Sequence, residues 1–561
     1  MAESALIVDT VAPEQRALMF PHLTEEQIQR IAPHGRTREL RAGDVLIRPG
    51  DVSVPVFVVK RGQLDVIRTD APTGEEKLVV VHRAGSFTGE ANMLLGRPSL
   101  MRVQVGEACE AIELTREQML SLVQNDTDIG DIIMRGYIYR RLQLISQGLG
   151  DVVLLGSVHC ASTLRVKEFL TRNGHPYQFI DLDKEKAVEG ILDRLHVSSK
   201  DVPVLICRGT VTLKNPTNEE IARCLGFNAS IDSSHMRDVV IVGGGPAGLA
   251  AAVYGASEGL DVLVVEASAP GGQAGASSRI ENYLGFPNGI SGQELTSRAF
   301  SQAQKFGAQV MIAEGAVSLR CEATPYRVKI NGDQLVPART IILAMGAEYR
   351  RPPLQNLSRF TGAGVYFNAT QMEQQLCSGE EIIIVGGGNS AGQAAMFLST
   401  TVKRVYILVR GESLGSTMSR YLIRRIEDSD AIEVHTRTEI VALEGTNHLE
   451  MVRWRDKRSG VEEAHTIRHV FMMTGAVPNT AWLGGCLVLD EKGFIKTGPT
   501  LTQEELAARR WPLPRAPQIF ETSLPSVFAV GDVRSGSMKR VASAVGEGST
   551  AISLVHQALA G

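Results

Sequence analysis

The sequence predicts a multidomain protein in which a β-roll and a compact α/β module precede two Rossmann-like α/β units. Three observations lead to this prediction. The chain has 561 residues, which is too long for a single hydrophobic core. Short β-branched runs separated by glycine fill residues 39 to 114. A strand, glycine turn, helix and strand occur in this order twice, starting near residues 237 and 381, so one supersecondary unit is repeated.

Composition excludes several classes of protein. The net charge of -4 comes without a basic stripe, so nucleic acid is not a predicted partner. The sequence has no apolar run long enough to span a bilayer, and its N-terminus lacks the features of a signal peptide. The seven cysteines are scattered along the chain and predict no disulfide framework. We therefore expect a cytoplasmic protein without a membrane span, and no metal site is predicted.

The first predicted domain spans residues 1–150. Its apolar runs are rich in Val and Ile, and glycine separates them at short intervals, which is typical of short strands joined by turns. A helical pattern begins at Arg116. These features predict a β-roll followed by a helix.

The second predicted domain spans residues 151–236. The strand VVLLG is followed by a helix through Leu164 and Leu170, then by the strands YQFIDL and VPVLICRG. This order predicts a compact α/β module. A polar segment at 228–235 is the predicted linker to the next domain.

The strand that starts at Arg237 ends in a glycine turn with Gly243, Gly245 and Gly248. In a dinucleotide-binding unit these glycines respectively allow a tight turn, let the backbone approach the pyrophosphate, and let the helix pack on the strand. The helix N-terminus favours the phosphate charge. Glu266, 23 residues after Gly243, can accept hydrogen bonds from ribose hydroxyls. An ordinary βα turn is the alternative, but strand, helix and acid together favour a dinucleotide site.

The second unit has Gly386 and Gly388, with Ala391 in the third position, and its second strand ends at Arg410. An arginine at this position favours NADPH, whose 2′-phosphate it can bind. Glu412 leaves open the alternative of a solvated surface arginine, so NADH is not excluded. Two dinucleotide units indicate a tightly bound flavin and a nicotinamide nucleotide, and therefore hydride transfer.

From residue 237 onward the sequence resembles the thioredoxin-reductase family. Besides the two glycine turns, the resemblance rests on five segments: GlyGlyGln at 271–273, GluAsn at 281–282, IleLeuAlaMetGly at 342–346, MetThrGlyAlaValProAsnThr at 473–480 and ValPheAlaValGlyAspVal at 527–533. The resemblance implies an FAD-dependent NAD(P)H oxidoreductase that forms a homodimer. It also implies an FAD-binding domain at 237–352 and 480–561 around an NAD(P)H-binding domain at 353–479.

The resemblance assigns residues to two cofactors. For FAD it implies Gly243, Gly245, Gly248, Glu266, Gly272, Gln273, Asn282, Gly346, Gly531, Asp532 and Val541. For NADPH it implies Gly386, Gly388, Asn389, Ser390, Ala391 and Arg410. In that family the residue at Asp532 holds the ribityl chain of the flavin, and the helix after it points its N-terminus at the isoalloxazine carbonyl.

The chain departs from the family at the redox dithiol. Asn368 and Gln371 occupy the two positions of the family's Cys-x-x-Cys. Neither amide can form a disulfide, so the ordinary dithiol relay is absent. The electron acceptor is therefore unidentified, and dioxygen, a quinone, a disulfide and a protein all stay open. The alternative function is a redox- and ligand-sensing flavoprotein with little turnover.

Residues 151–227 resemble a glutaredoxin or thioredoxin-like domain. Cys160 lies between strand and helix, and Val202–Pro203 lies where that fold has its cis-proline. Thr163 replaces the second cysteine, so only a monothiol remains. A thiol at a helix N-terminus has a lowered pKa and becomes reactive, which makes Cys160 a catalytic candidate. An inert docking module is the alternative, in which case the flavin itself is the only redox centre.

Residues 14–145 resemble a cyclic-nucleotide-binding domain, most clearly at 86–100. In that family the pair at Gly89 and Glu90 meets the ribose. Ser99 stands where the family has an arginine that binds the cyclic phosphate through paired, charge-assisted hydrogen bonds. A cyclic nucleotide, another small ligand and a role in dimerisation therefore all stay open.

Overall fold

A computed structural model describes most of the chain: residues 13–52, 54–69, 76–89, 98–146, 152–157, 160–183, 201–207, 211–277, 279–331, 334–446 and 448–560. Contacts divide the chain into two compact units. The first comprises Met1–Val158, Val166–Ile231 and Ser301–Ala313, and the second comprises His159–Arg165, Asp232–Phe300 and Glu314–Gly561.

The first unit contains an antiparallel β-roll. Its strands are β1 (Arg36–Leu40), β2 (Val45–Ile47), β3 (Val56–Thr69), β4 (Glu76–Arg83) and β5 (Arg102–Leu114). They pair in the order β1-β5-β3-β4, and β2 also pairs with β5. The helices are α1 (Pro13–Met19), α2 (Glu25–Ile31), α3 (Arg116–Asn125) and α4 (Thr127–Ser146). Alternating Val, Ile and Leu side chains fill the roll and pack under α3 and α4. The predicted roll and the helix start at Arg116 are confirmed.

One strand differs from the sequence pattern. The runs on either side of Gly62 predict two strands, but they form the single strand β3. Gly62 has φ +82°, and a Cβ there would lie 2.1 Å from the Ala108 carbonyl oxygen. The pairing register with β5 shifts around Arg61, so the glycine forms a β-bulge rather than a turn.

A second sheet follows in the chain. Its strands are β6 (Val152–Gly156), β7 (Gln178–Asp181), β8 (Val204–Cys207) and β9 (Val211–Lys214). Their order is β7-β6-β8-β9, with β6 and β7 parallel and the other pairs antiparallel. Helices α5 (Ala161–Arg172) and α6 (Asn218–Leu225) belong to this stretch of the chain. The Val202–Pro203 peptide is cis.

From residue 237 onward, helices alternate with strands. The strands are β10 (Arg237–Val242), β11 (Val262–Glu266), β12 (Gln309–Ile312), β13 (Ala316–Arg320), β14 (Tyr326–Ile330), β15 (Leu335–Leu343), β16 (Ala347–Tyr349), β17 (Val365–Tyr366), β18 (Glu381–Val385), β19 (Arg404–Val409), β20 (Ile432–Thr436), β21 (Thr438–Glu444), β22 (Met451–Asp456), β23 (Glu462–His465), β24 (His469–Met472), β25 (Ala476–Pro478) and β26 (Val527–Ala529). The helices are α7 (Pro246–Ser257), α8 (Gly272–Gly275), α9 (Gly292–Lys305), α10 (Leu357–Phe360), α11 (Gln371–Leu376), α12 (Asn389–Leu398), α13 (Arg420–Glu427), α14 (Gln503–Ala508) and α15 (Val541–Ala560).

Two sheets carry the repeated unit. In the first, β10 pairs with β11 and β15, and β15 pairs with β26, all parallel. In the second, the order is β17-β24-β18-β19-β20, with every pair parallel. The antiparallel pair β16 and β25 lies where the chain leaves and re-enters the first sheet. The two Rossmann-like units predicted from the repeat are present.

The expectation that the cysteines form no disulfide was wrong for one pair. Cys321 and Cys486 are joined by a disulfide, with their Cα atoms 6.1 Å apart. They are 165 residues apart in the sequence, one directly after β13 and the other in the segment after β25. Spacing along the chain could not reveal this pair, because the fold brings the two segments together. Cys207 is buried and Cys224 is half-buried.

Neither a membrane helix nor a metal cluster is found in the part of the chain that the structure describes. In these residues no helix has the length and apolar character needed to cross a membrane. Within the same residues no group of three or more His, Cys, Asp or Glu side chains could hold a metal ion.

Candidate active site

The first glycine turn lies between β10 and α7. Gly243 has φ +103°, and a Cβ there would lie 2.5 Å from the Ala344 carbonyl oxygen. A Cβ on Gly248 would lie 1.9 Å from the Gly243 carbonyl oxygen, so the helix packs directly on the turn. Gly245 precedes α7, and a Cβ there would meet only the Gly272 Cα, at 3.9 Å. The backbone is therefore open at the helix N-terminus, where a pyrophosphate binds in such units.

Glu266 ends β11 beside this turn and is buried. Its Oε2 accepts a hydrogen bond from the Gly244 amide at 2.7 Å, and its Oε1 accepts one from the Ser268 amide at 2.8 Å. These two hydrogen bonds fix the orientation of the carboxylate. Each carboxylate oxygen can accept a second hydrogen bond, so the group is suited to ribose hydroxyls. The open glycine cradle and the fixed carboxylate fit FAD.

The segment after β26 forms the short 3-10 turn Gly531–Val533, which carries Asp532. Burial raises the pKa of the Asp532 carboxyl, the nearby Glu547 adds to this effect, and Lys539 opposes it. Val541 begins α15 and packs against a small apolar cluster around Ile280. This packing brings the N-terminus of α15 to the segment that contains Gln273 and Asn282.

The remaining residues assigned to FAD are spread around this region. Gly272 begins α8, Gln273 is exposed and lines the cavity described below, and Asn282 is exposed. Gly346 follows β15 with φ +63°. Asn282 and Gly346 are not among the residues that line the cavity.

The second glycine turn lies between β18 and α12. Gly386 has φ +146°, and a Cβ there would lie 2.3 Å from the Met473 carbonyl oxygen. Gly388 precedes α12, and a Cβ there would meet only the Thr417 carbonyl oxygen, at 4.0 Å. Gly386 is thus required for close packing, whereas the backbone at Gly388 is open. Ala391, in the third position, is buried.

Two other residues assigned to NADPH begin α12. The Asn389 amide oxygen accepts a bond from the Ser419 backbone N–H at 2.7 Å. The Ser390 side chain lies close to the hydroxyl of Tyr349. Burial raises the pKa of Tyr349, so this hydroxyl stays protonated at neutral pH. Sequence reasoning missed Tyr349, because its place is set by the pairing of β16 with β25.

Arg410 lies directly after β19 and is exposed. Within the described ranges its guanidinium forms no hydrogen bond or ion pair. Sequence reasoning missed Arg437, which follows β20. The Arg437 amide donates to the Gly411 carbonyl oxygen at 2.9 Å, and its guanidinium bonds to the Glu412 carboxylate at 2.8 Å. Glu412, which seemed to weaken the prediction for NADPH, is therefore paired with a second arginine beside the site.

A cavity that is partly open to solvent lies in the second compact unit, and residues from both Rossmann-like units line it. Gln273 comes from the first unit, Ser390 from the second, and Tyr349 from the connecting strand. Phe367 and Asn368 complete this wall. None of the lining residues is a cysteine.

The two residues at the family's cysteine positions are placed differently. Asn368 lines the cavity, whereas Gln371 is exposed at the start of α11. The buried Glu373 carboxylate accepts a hydrogen bond from the Thr370 amide at 2.8 Å, which fixes this segment. Cys377, at the other end of α11, is buried, and burial raises the pKa of its thiol to about 12.

Cys160 caps α5: its carbonyl oxygen accepts a hydrogen bond from the Leu164 amide at 3.0 Å. The side chain is half-buried. Thr163, three residues on, is fully buried, and its hydroxyl has no hydrogen-bond partner in the described part of the chain. The structure thus places one accessible thiol at the start of a 12-residue helix.

In the β-roll, Arg102 is not available for a phosphate. Its guanidinium bonds the Glu76 carboxylate twice, at 2.8 and 2.7 Å. The Ser99 hydroxyl donates to the Met101 carbonyl oxygen at 2.9 Å. The Gly89 carbonyl oxygen accepts a bond from Arg140 on α4 at 2.6 Å. Glu90, the other residue assigned to a ribose contact, lies outside the described residues.

Two regions of the chain match known protein families. Residues 237–548 match the family "Pyridine nucleotide-disulphide oxidoreductase", and residues 37–126 match "Cyclic nucleotide-binding domain". The thioredoxin reductase of Mycolicibacterium smegmatis is 32% identical over 57% of this chain and 95% of that protein. The thioredoxin reductase of Bacillus subtilis is 30% identical over 57% of this chain and 93% of that protein.

A solved structure gives the same result. The crystal structure of T. acidophilum thioredoxin reductase has a TM-score of 0.51 and 28% identity, and the match covers 58% of this chain and 99% of that one. Proteins of this family use FAD and NADPH, and the residues described above fit both. The chain therefore belongs to the pyridine nucleotide-disulphide oxidoreductase family, as a thioredoxin-reductase-like, NAD(P)H-dependent flavin oxidoreductase with an N-terminal cyclic nucleotide-binding domain.

Proposed function

We propose that this enzyme passes electrons from NADPH through bound FAD to an acceptor without a Cys-x-x-Cys relay. The observation that carries the proposal is Asn368, an amide in the cavity wall beside Gln273 and Tyr349. The sequence contains no Cys-x-x-Cys at any position. Electrons from the flavin then have no dithiol to enter at this cavity.

The chain offers a separate set of residues to each of the two nucleotides. Bound FAD would supply a two-electron acceptor for the nicotinamide hydride. Glu266 and the glycine cradle around Gly245 hold its nucleotide half, and Asp532 holds its ribityl chain. The turn at Gly388 holds the NADPH pyrophosphate, and Arg410 binds the 2′-phosphate. The other residues assigned above complete these two sites.

Tyr349 has a place at the acceptor side of this site. Its protonated hydroxyl lies close to Ser390, and Tyr349 lines the same cavity as Asn368. A protonated phenol in a cavity is a suitable hydrogen-bond donor to an acceptor oxygen. Dioxygen and a quinone are acceptors that need no thiol at this cavity.

We include a thioredoxin-like module at 151–236 in this proposal. The sheet order β7-β6-β8-β9, with only β6 and β7 parallel, supports it, as does the position of Cys160 at a helix start. Cys160 would attack a disulfide acceptor to form a mixed disulfide and release one thiol, and the two electrons from NADPH would then cleave the mixed disulfide, restoring Cys160 and releasing the second thiol. The domain boundaries at 150, 236, 352 and 479, a homodimer and a cytoplasmic location are parts of the same proposal.

A second candidate function is a sensor with little turnover. The match to a cyclic nucleotide-binding domain favours it. The arginine position in that domain is Ser99, and Arg102 is held by Glu76. A ligand without a buried phosphate would therefore suit this domain better than a cyclic nucleotide.

Steady-state oxidation of NADPH tests the proposal. The acceptors are dioxygen, a water-soluble quinone and an aromatic disulfide, each with the native protein and with Cys160→Ser. We expect turnover with dioxygen or the quinone in both proteins, and loss of disulfide reduction alone in the variant. Cys224→Ser, at another half-buried cysteine, is the matched control. A flavin that is reduced but never turns over with any acceptor would favour the sensor.

A further inference from the structure

The carboxylate of Glu547 lies against the turn that carries Asp532. Glu547 is on α15, and its side chain is only 11% exposed. Its Oε2 accepts a hydrogen bond from the Gly531 amide at 2.7 Å. The Arg534 guanidinium donates to the same carboxylate, from Nη2 to Oε1 at 2.5 Å and from Nε to Oε2 at 3.1 Å. Three donors thus hold one buried carboxylate.

The Arg534 side chain completes a closed arrangement. It is 16% exposed, lies over the ring of Phe520 at 5.3 Å, and donates to the Ser535 carbonyl oxygen at 3.1 Å. A buried charge is costly unless its partners satisfy it. Glu547 and Arg534 satisfy each other, and both ends of the turn from Gly531 to Ser535 are attached to this pair.

The other side of the turn faces the first glycine turn. Gly531 has φ +72°, and a Cβ there would lie 3.1 Å from the Cβ of Ala247, which is in the first turn of α7. A Cβ on Gly548 would lie 2.1 Å from the Ala247 carbonyl oxygen, so α15 packs directly on α7. The carboxylate of Glu547 therefore determines where the turn lies relative to the helix that receives the pyrophosphate.

We propose that Glu547 is a positioning residue for FAD: it fixes the Gly531 amide and thereby the direction of Asp532. The proposal rests on the function proposed above, in which Asp532 holds the ribityl chain. Glu547 need not touch the cofactor. Its charge also acts on Asp532, since Glu547 and Lys539 are the charged groups that influence this carboxyl, in opposite directions. Tyr349 is close enough to interact with Asp532 as well.

Two variants separate geometry from charge. Glu547→Gln keeps an oxygen that can accept from the Gly531 amide but loses the charge, whereas Glu547→Ala loses both. Glu258→Gln is the matched control. Glu258 is hydrogen-bonded at 2.8 Å to His556, which lies on α15 like Glu547, but this pair is exposed. The measurements, made on holoprotein, are the dissociation constant of FAD and the visible spectrum of the flavin as a function of pH.

We expect Glu547→Ala to bind FAD at least tenfold more weakly than the native protein. Glu547→Gln should bind within about threefold of native but show the pH-dependent change in its flavin spectrum at lower pH. The reason is that removing the negative charge of Glu547 lowers the pKa of Asp532. Glu258→Gln should match the native protein in both measurements.

Native affinity and a native spectral pH profile in both Glu547 variants would overturn the proposal. If Glu547→Ala does not fold, the pH profile of Glu547→Gln decides: a shift to lower pH supports the proposal and an unshifted profile overturns it. Failure of the proposed function is distinguishable, because it would appear in the native protein as an FAD that NADPH does not reduce. FAD affinity and the spectrum of oxidised flavin do not depend on that step.

Discussion

Gly388→Ala should strongly weaken the binding of NADPH without unfolding the protein. At Gly388 the backbone has φ -94° and ψ 177°, which alanine adopts without strain. A Cβ there would meet only the Thr417 carbonyl oxygen, at 4.0 Å. The added methyl group instead occupies the space through which the pyrophosphate approaches the N-terminus of α12.

The magnitude follows from the hydrogen bonds that are lost. If the methyl group keeps the phosphates from two backbone N–H donors, each bond to a charged group contributes about 1.5 kcal/mol. The total of about 3 kcal/mol corresponds to a loss of roughly 150-fold in affinity. The free energy of unfolding should change by about 1 kcal/mol or less, since no close contact is created.

Stopped-flow bleaching of the flavin by NADPH measures the effect, and dithionite serves as a reductant that needs no nucleotide site. We expect Gly388→Ala to keep its FAD and its melting temperature, to be bleached by dithionite, and to need roughly 150-fold more NADPH. Gly386→Ala is the contrasting variant, because its Cβ would lie 2.3 Å from the Met473 carbonyl oxygen; it should destabilise the protein by about 2 kcal/mol or more. A native response to NADPH in Gly388→Ala would refute the assignment of this turn.

Three further measurements test the role of Arg410, the reactivity of the free cysteines and the disulfide. Arg410→Gln should lower the preference for NADPH over NADH about tenfold in kcat/KM, because a charged partner of the 2′-phosphate is lost. Iodoacetamide at pH 8 should label Cys160 but not Cys377, whose pKa of about 12 leaves about one thiolate in ten thousand; peptide mass spectrometry reads the labelling. Peptide mapping without reductant should find Cys321 joined to Cys486, and reduction should destabilise the protein by about 3 kcal/mol, measured as a lower urea midpoint.

Each of these predictions has its control. Arg458→Gln, at an exposed arginine in the turn after β22, should leave the cofactor preference unchanged; an equal loss in both variants would contradict the role of Arg410. Rapid labelling of Cys377 in native protein would contradict the burial of its thiol. Cys321→Ser should be insensitive to reductant, and a midpoint that still shifts would assign the effect to another site.

Local pattern was sufficient to predict both glycine turns. The spacing of Gly243, Gly245 and Gly248 reports contacts within one strand, turn and helix, and the structure shows the corresponding close approaches. The same holds for the second turn. In each case the partners of the glycine are near in the sequence or follow from the repeat.

Contacts between distant segments could not be predicted in this way. Tyr349, Arg437 and the Cys321–Cys486 disulfide all depend on pairing of segments that are far apart in the chain. No periodicity in the sequence indicates such pairing. Gly62 shows a related limit, because a glycine within an apolar run is compatible with both a turn and a bulge, and only the pairing of β3 with β5 decides between them.

The N-terminal domain was predicted in outline but not in its ligand. Strand spacing indicated a β-roll, and the roll is present. Arg102, three residues after Ser99, is paired with Glu76, which lies 26 residues earlier, and no local pattern indicates this pairing.

The most direct test of a flavin enzyme without a dithiol relay is an anaerobic titration of the holoprotein with NADPH, followed by the flavin absorbance. A flavin that is the only redox centre in equilibrium with NADPH takes up two electrons. We therefore predict complete bleaching at one equivalent of NADPH per flavin, in native protein and in Cys160→Ser alike. A requirement for two equivalents would contradict the account, because a second two-electron centre would then be sharing the electrons.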